Sequence, residues 1–198
     1  MKQKVLLASN NAHKIKEIRA ILGDFFDIVS LREAGVESDP EETGKTFEEN
    51  ARIKAVAGMK ASGMPCIADD SGLEVLALDC RPGVMSARYS GSHGDDAANN
   101  EKLLAELSDK PDRSARYVCV ICMAFPDGRE IEARGECYGE ILKEKRGNGG
   151  FGYDPLFYFP QFGKTFAEIS SEEKNEVSHR NAALKAFEKL WEKEINDK

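Results

Sequence analysis

No apolar run in this chain approaches the roughly 20 residues that a helix needs to cross a bilayer. The longest, Tyr117 to Phe125, has nine. The start, Met1-Lys2-Gln3-Lys4 followed only by Val5 to Ala8, lacks the apolar core of a secretory signal. Positive charge is also scarce. Lys plus Arg is 28 against 35 Asp plus Glu, a formal charge of −7, which argues against a surface built for nonspecific nucleic acid or anionic membrane. Any phosphate must be held locally. The three histidines, His13, His93 and His179, lie far apart, and the five cysteines are odd in number and scattered, so no zinc set or disulfide framework is drawn. Reduced thiols and a cytoplasmic location are expected. There is no repeat, low-complexity tract or Pro/Ser-rich linker to mark a domain boundary.

What is present suits a soluble globular protein: 198 residues, 41% hydrophobic and 32% charged, enough for one domain or two lobes sharing a core. Lys4 to Ser9 reads as a strand, and Asn10-Asn11 as a turn and N-cap for a helix with Ile15, Ile18, Ile21 and Leu22 on one face. Ile28 to Leu31 reads as a second strand, followed by a polar loop from Arg32 to Lys45. Thr46 and Glu49 have capping-box spacing for a helix to about Ala61. Cys66 to Asp69 reads as a buried strand ending on polar residues. A helix starts at Asp95-Asp96 with Leu103, Leu104 and Leu107. Arg113 to Phe125 and Arg129 to Tyr138 form a hairpin through Pro126-Asp127-Gly128. Leu156 to Phe159 reads as a short strand, and Ser178 as the cap of a last helix with Leu184, Phe187, Leu190 and Trp191 inside. The expected class is mixed α/β, with helices flanking a long twisted sheet.

Two motifs are set aside. Gly147-Asn148-Gly149-Gly150-Phe151-Gly152 has the G-x-G-x-x-G spacing, but Tyr153-Asp154-Pro155 follows, and the residue before proline is pushed out of helical geometry. It also lacks the Gly-Lys-Ser/Thr close of a P-loop. Cys119-Val120-Ile121-Cys122 matches C-x-x-C, but in a strand the two sulfurs face opposite sides, so core thiols are expected.

Four local signals remain. Ser9-Asn10-Asn11-Ala12-His13-Lys14 is a polar turn ending on a lysine in the first helical turn. A cation there makes sense beside an anion; the plain alternative is a capped surface helix with a solvated lysine. Glu37-Ser38-Asp39-Pro40-Glu41-Glu42, leading to Glu48 through Lys54, clusters carboxylates that suit Mg²⁺; the alternative is a solvated acidic loop. Ile67-Ala68-Asp69-Asp70-Ser71-Gly72-Leu73 places two adjacent carboxylates at the end of an apolar strand, which is costly without a cation, a donor or a shared proton; a turn cap needs only one. Gly149 to Pro155, with Ser171 to Lys174 and Ser178-His179-Arg180, offers a ring for stacking on a base and donors around it; the alternative is aromatics packed on the core.

Together, Ser9 to Lys14, Glu41-Glu42-Thr43-Gly44 with Phe47 and Glu49-Asn50-Ala51, Ala68 to Leu73, Gly83 through Ser86 to Gly91, Gly149 to Pro155, and Lys174 with Ser178-His179-Arg180 resemble the inosine/xanthosine triphosphate pyrophosphatase family, in order and over nearly the whole chain. The resemblance implies a single two-lobed domain over 1–198 with a central cleft. It implies hydrolysis of deaminated purine nucleoside triphosphates (ITP, dITP, XTP) to the monophosphate and pyrophosphate with Mg²⁺, by a homodimer that binds neither nucleic acid nor membrane. By the same resemblance, Ser9, Asn10, Asn11, Ala12, His13, Lys14 and Lys54 hold the phosphates. Glu41 and Asp70 meet Mg²⁺, and Asp70 is the proton acceptor for the attacking water. Ser71, Phe151, Gly152, Tyr153, Asp154, Lys174, His179 and Arg180 contact the substrate, most of them at its base. Glu42 and Asp69 are neighbouring carboxylates able to take over such roles. The alternative is a noncatalytic nucleotide-binding or sensing module.

Overall fold

Apolar runs separated by capped helices become one eight-stranded mixed sheet in the computed structural model, which describes residues 2–196, with the side chains of His13 and Asn196 outside the described residues. The elements are β1 (Gln3–Leu7), α1 (Ala12–Leu22), β2 (Phe26–Ser30), α2 (Leu31–Ala34), α3 (Phe47–Ser62), β3 (Cys66–Val75), β4 (Arg81–Pro82), α4 (Asp96–Glu106), β5 (Ser114–Ala124), β6 (Glu130–Ile141), β7 (Phe157–Phe159), β8 (Lys164–Thr165), α5 (Ser171–Val177) and α6 (His179–Asn196). The strand order is β2-β1-β3-β5-β6-β7-β8, with β4 paired to β3. β1 runs parallel to both β2 and β3, in register Val5↔Ile28 and Leu7↔Ile67. Val5, Leu6 and Leu7 are therefore buried without alternation, as in a strand covered on both faces. β4, β7 and β8 add antiparallel pairs.

Local sequence sets the helix starts. Asn11 Oδ1 accepts from the Lys14 N–H at 3.2 Å, and Thr46 with Glu49 closes a reciprocal capping box on α3. Asp95 caps α4, and Ser178, extended at φ −72°, precedes α6. The chain turns between β5 and β6 at Pro126-Asp127-Gly128, where the Phe125 N–H donates to the Arg129 carbonyl at 3.0 Å.

Several expectations are corrected. The segment after Leu31 is not wholly loop: Ser30 and Glu33 form a capping box that nucleates α2. The strand from Cys66 does not end at Asp69 but runs to Val75, because the carboxylates find partners instead of solvent. Ser171 to Lys174, given no element from sequence, lies in a helix with its own Ser170/Glu173 box. Leu190 is 43% exposed rather than inside. Leu184 and Phe187 already complete the buried stripe of α6, and Trp191 packs at its margin against Phe26.

The chain divides into two compact units: Met1–Asp70, Cys119–Gly135 and Arg180–Lys198 in the first, Ser71–Val118 and Glu136–His179 in the second. Each has its own core. Val5, Ile18, Leu22, Phe26, Ile67, Ile121 and Phe187 fill the first, and Leu73, Leu103, Leu107, Tyr117, Phe157 and Phe166 the second. Truncating one such side chain, as in Leu22→Ala, costs roughly 2–5 kcal/mol. All five cysteines are free, and Cys119 and Cys122 are buried in β5. No helix among the described residues is long and apolar enough to cross a membrane.

Candidate active site

In the first unit, strand alternation sends the adjacent carboxylates of β3 to opposite faces. Asp69 meets Lys14 Nζ at 2.9 Å and Arg180 Nη2 at 3.5 Å, and Arg180 Nη1 donates to Glu17 Oε2 at 2.7 Å. Burial would raise the Asp69 carboxyl, but the Lys14 and Arg180 charges outweigh it and hold the group well below the usual carboxylate range. Cys119 Sγ lies 4.0 Å from the same carboxylate. Its thiol is pushed up to about 12, by burial first and then by Asp69, so it stays neutral.

Asp70 faces a different group. Lys54 Nζ lies 2.8 Å from Asp70 Oδ1 and 2.8 Å from Glu42 Oε1. Asn50, fully buried, donates its amide to Asp70 Oδ2 at 3.5 Å and accepts the Gly44 N–H at 2.9 Å. A Cβ on Gly44 would sit 2.5 Å from Asn50 Oδ1, so only glycine lets the acidic loop close on α3. Burial pushes the Asp70 carboxyl up, against the pull of Lys54, while Asp70 and Asp69 raise the Lys54 ammonium despite its burial.

The loop carboxylate beside Asp70 is Glu42, with Glu41 exposed. Neighbouring residues of an extended segment point apart, which sequence order alone does not resolve. Among the described residues no cluster of three or more His, Cys, Asp or Glu is formed for a metal. The donor set of Glu42 and Asp70 nonetheless fits Mg²⁺, because both are hard oxygens around a point already held by a cation, and Mg²⁺ takes one or two carboxylates with water and phosphate.

The turn before α1 is ordered by its own side chains: Ser9 Oγ accepts from the Asn11 N–H at 3.2 Å. Asn10 and Ala12 line a cavity of about 1040 Å³ with Ser30, Arg32, Ser38 and Asp39. The anion that accompanies Lys14 is thus supplied by the protein, as Asp69.

In the second unit the centre is Asp154, 1% exposed. Its Oδ2 accepts from Lys174 Nζ at 2.5 Å and the Phe151 N–H at 2.9 Å, and its Oδ1 from the Tyr117 hydroxyl at 3.3 Å. The Lys174 ammonium lies 4.4 Å from the centre of the Phe151 ring, which is 49% exposed. His179 stacks on Tyr117, centroids 4.8 Å apart and planes 15° from parallel. Gly152 is gripped on both sides, its N–H by Asp96 Oδ2 at 2.6 Å and its carbonyl by Asn100 Nδ2 at 2.8 Å.

The residues expected from sequence thus fall into separate groups. Lys14 and Arg180 join at Asp69, and Lys54 joins Asp70. Phe151, Asp154, Lys174 and His179 gather in the second unit, where Ser71 also belongs. Arg180 is expected beside His179 at the base but is held by Glu17 and Asp69, since consecutive helical residues point about 100° apart. Tyr153 is 4% exposed and donates to the Ser86 carbonyl, so its side chain packs in the core. Asp154 is a scaffold for Lys174 and Phe151. The His13 side chain lies outside the described residues. Tyr117, Glu17, Asp96 and Asn100 were missed, and Asn50 stood in a motif with no role assigned to it. Tyr117 sits in an apolar run that reads only as core, and the others reach their partners across gaps of 20 or more residues, as in Asn50 to Asp70.

The Ham1 family model matches residues 5–190. The dITP/XTP pyrophosphatase of Desulfotalea psychrophila is 56% identical over 181 residues, covering 91% of this chain and 81% of that protein. The dITP/XTP pyrophosphatase of Clostridium perfringens is 53% identical over 191 residues, covering 92% and 94%. The solved structure of the Staphylococcus aureus Ham1 protein superposes with a TM-score of 0.90 at 45% identity, covering 97% of this chain and 100% of that one.

Proposed function

The chain belongs to the Ham1 family, and from that premise we propose that it hydrolyses deaminated purine nucleoside triphosphates such as ITP, dITP and XTP to the monophosphate and pyrophosphate. The observation that carries the reading is the Glu42–Lys54–Asp70 group, half-buried around a buried Asp70, next to the Lys14–Asp69 pair of the same unit. Simple binding needs no carboxylate whose proton affinity is raised by burial, whereas water activation does.

Asp70 accepts a proton from water as the new O–P bond forms and the α–β phosphoanhydride breaks, so that pyrophosphate leaves. Lys54 and Lys14 each carry three donors and keep their carboxylates while giving a donor to phosphate oxygens, which stabilises charge in the transition state. Glu42 and Asp70 would hold Mg²⁺, which supplies charge neutralisation on the phosphates and a more acidic water. Phe151 stacks on the base. Lys174 and His179 offer donors to the 6-keto oxygen of hypoxanthine or xanthine, where adenine presents a 6-amino donor. Such a mismatch discriminates by a factor of up to roughly 10⁴–10⁵. A homodimer belongs to the same proposal, with sedimentation velocity as its measure.

The test is pyrophosphate release from ITP, XTP and ATP with and without Mg²⁺. The expected outcome is rapid, Mg²⁺-dependent release from ITP and XTP and slow release from ATP. Equal rates on ATP and ITP refute the selectivity, and tight binding without release establishes the noncatalytic module instead.

A further inference from the structure

Tyr117 has no place in the reaction described above, yet it touches the base group of the second unit from two directions. Its ring lies in an aromatic stack: Phe157 is 4.6 Å away and tilted by 48°, Phe166 is 5.9 Å away and within 3° of parallel, and the His179 imidazole is 4.8 Å away at 15°. Phe157 and Phe166 are fully packed, so the ring on which His179 lies has little room to move. Its hydroxyl donates to Asp154 Oδ1 at 3.3 Å.

That bond matters because of what the other carboxylate oxygen does. Asp154 Oδ2 alone takes both the Lys174 ammonium and the Phe151 N–H. The Asp χ2 torsion is broad and nearly two-fold, so a carboxylate held at one oxygen swings and carries its partners along. A donor on Oδ1 fixes the plane. On the far side Gly150, at φ +71°, packs its backbone so closely on this carboxylate that a Cβ there would collide with Oδ2. The Tyr117 phenol is pushed well above its ordinary value, by burial and then by the Asp154 charge, so it remains a donor throughout the working range of pH.

Resting on the function proposed above, the geometry points to Tyr117 as a positioning residue for base selectivity. Its hydroxyl locks Asp154, and with it Lys174 and Phe151, while its ring orients His179. The donors offered to the purine 6-keto edge are then registered by one side chain that does not itself meet the substrate. The phosphate-holding lysines belong to the other unit's charge groups and are outside this arrangement.

Tyr117→Phe removes the hydroxyl and keeps the ring. The expected result is an ITP KM raised about tenfold, the size of one charge-assisted hydrogen bond, with kcat within about twofold and the ITP-over-ATP preference lowered by a similar factor. Inhibition by inorganic tripolyphosphate, which has no base, stays unchanged. A purely structural role predicts instead that tripolyphosphate inhibition weakens in step with KM, and that result overturns the proposal, as does wild-type KM and preference. Calorimetric binding of inosine monophosphate separates this inference from the function on which it rests. If the wild-type protein releases no pyrophosphate from ITP, the functional reading fails, but weaker monophosphate binding by Tyr117→Phe still supports the positioning role. Equal binding by the two proteins refutes it. Asp154→Asn, which replaces one accepting oxygen by an NH2 donor and removes the charge that pairs with Lys174, is expected to reproduce the loss of preference.

Discussion

Lys14, Lys54 and Arg180 of the first unit each face buried or half-buried carboxylates, whereas Lys174 of the second unit pairs with Asp154 and otherwise lies over the Phe151 and Phe166 rings. The two groups use burial differently. In the first, low dielectric strengthens several alternating charges, and removing one partner strands the others, at a cost of roughly 3–5 kcal/mol for a buried pair. In the second, most of the surroundings are rings whose packing survives the loss of one polar atom. An alternating charge cluster suits a phosphate chain and a water to be deprotonated. Flat rings with a few fixed donors suit a neutral base, read at its edge.

The largest expected effect breaks the first group at its chemistry. Asp70→Asn should lower kcat for ITP by about 10³-fold, within the range of a positioned proton acceptor, while ITP affinity by equilibrium titration is retained. Turnover within tenfold of wild type would remove Asp70 from that role.

Next comes the neighbouring charge group of the same unit, built on Asp69. Asp69→Asn leaves Lys14 and Arg180 without their shared charge, and a loss of roughly 3–5 kcal/mol, at roughly 2–4 °C per kcal/mol for a chain of this size, predicts a Tm lower by about 10 °C. The pH dependence has a definite sign. The folded Asp69 carboxyl is held below its unfolded value of about 4, so its contribution is complete above that value and is lost as pH falls below it. The acid-side slope of Tm against pH should therefore be shallower in Asp69→Asn than in wild type. Parallel slopes would show that the acid sensitivity arises elsewhere.

The smallest effect belongs to the second group. Phe151→Ala removes a half-exposed ring, and base–aromatic stacking is worth about 1–3 kcal/mol, so KM for ITP should rise roughly tenfold with Tm nearly unchanged. A Tm fall as large as that of Asp69→Asn would show that the ring is core, and the contrast drawn between the two groups would collapse.

Local signals were legible wherever the interaction spans a few residues. The Asn11 and Asp95 caps, the Thr46/Glu49 box and the hairpin at Asp127-Gly128 all follow from bonds between near neighbours. Lys14, Lys54, Asp70, Phe151, Lys174 and His179 were found as types in a pattern. Their partners were not. Glu42 rather than Glu41 meets Lys54, and Arg180 turns to Asp69 while His179 turns to Tyr117.

By itself the sequence determined the mixed α/β class, the helix starts and the acidic balance, because capping, periodicity and net charge are properties of short segments or of the whole chain. Only the tertiary structure decided that Asp69 and Asp70 serve separate charge groups and that a core tyrosine holds Asp154. Those facts depend on which strand face meets which helix, and on contacts such as Tyr117 to Asp154 and Asp69 to Arg180 that packing brings within hydrogen-bonding distance across 37 and 111 residues.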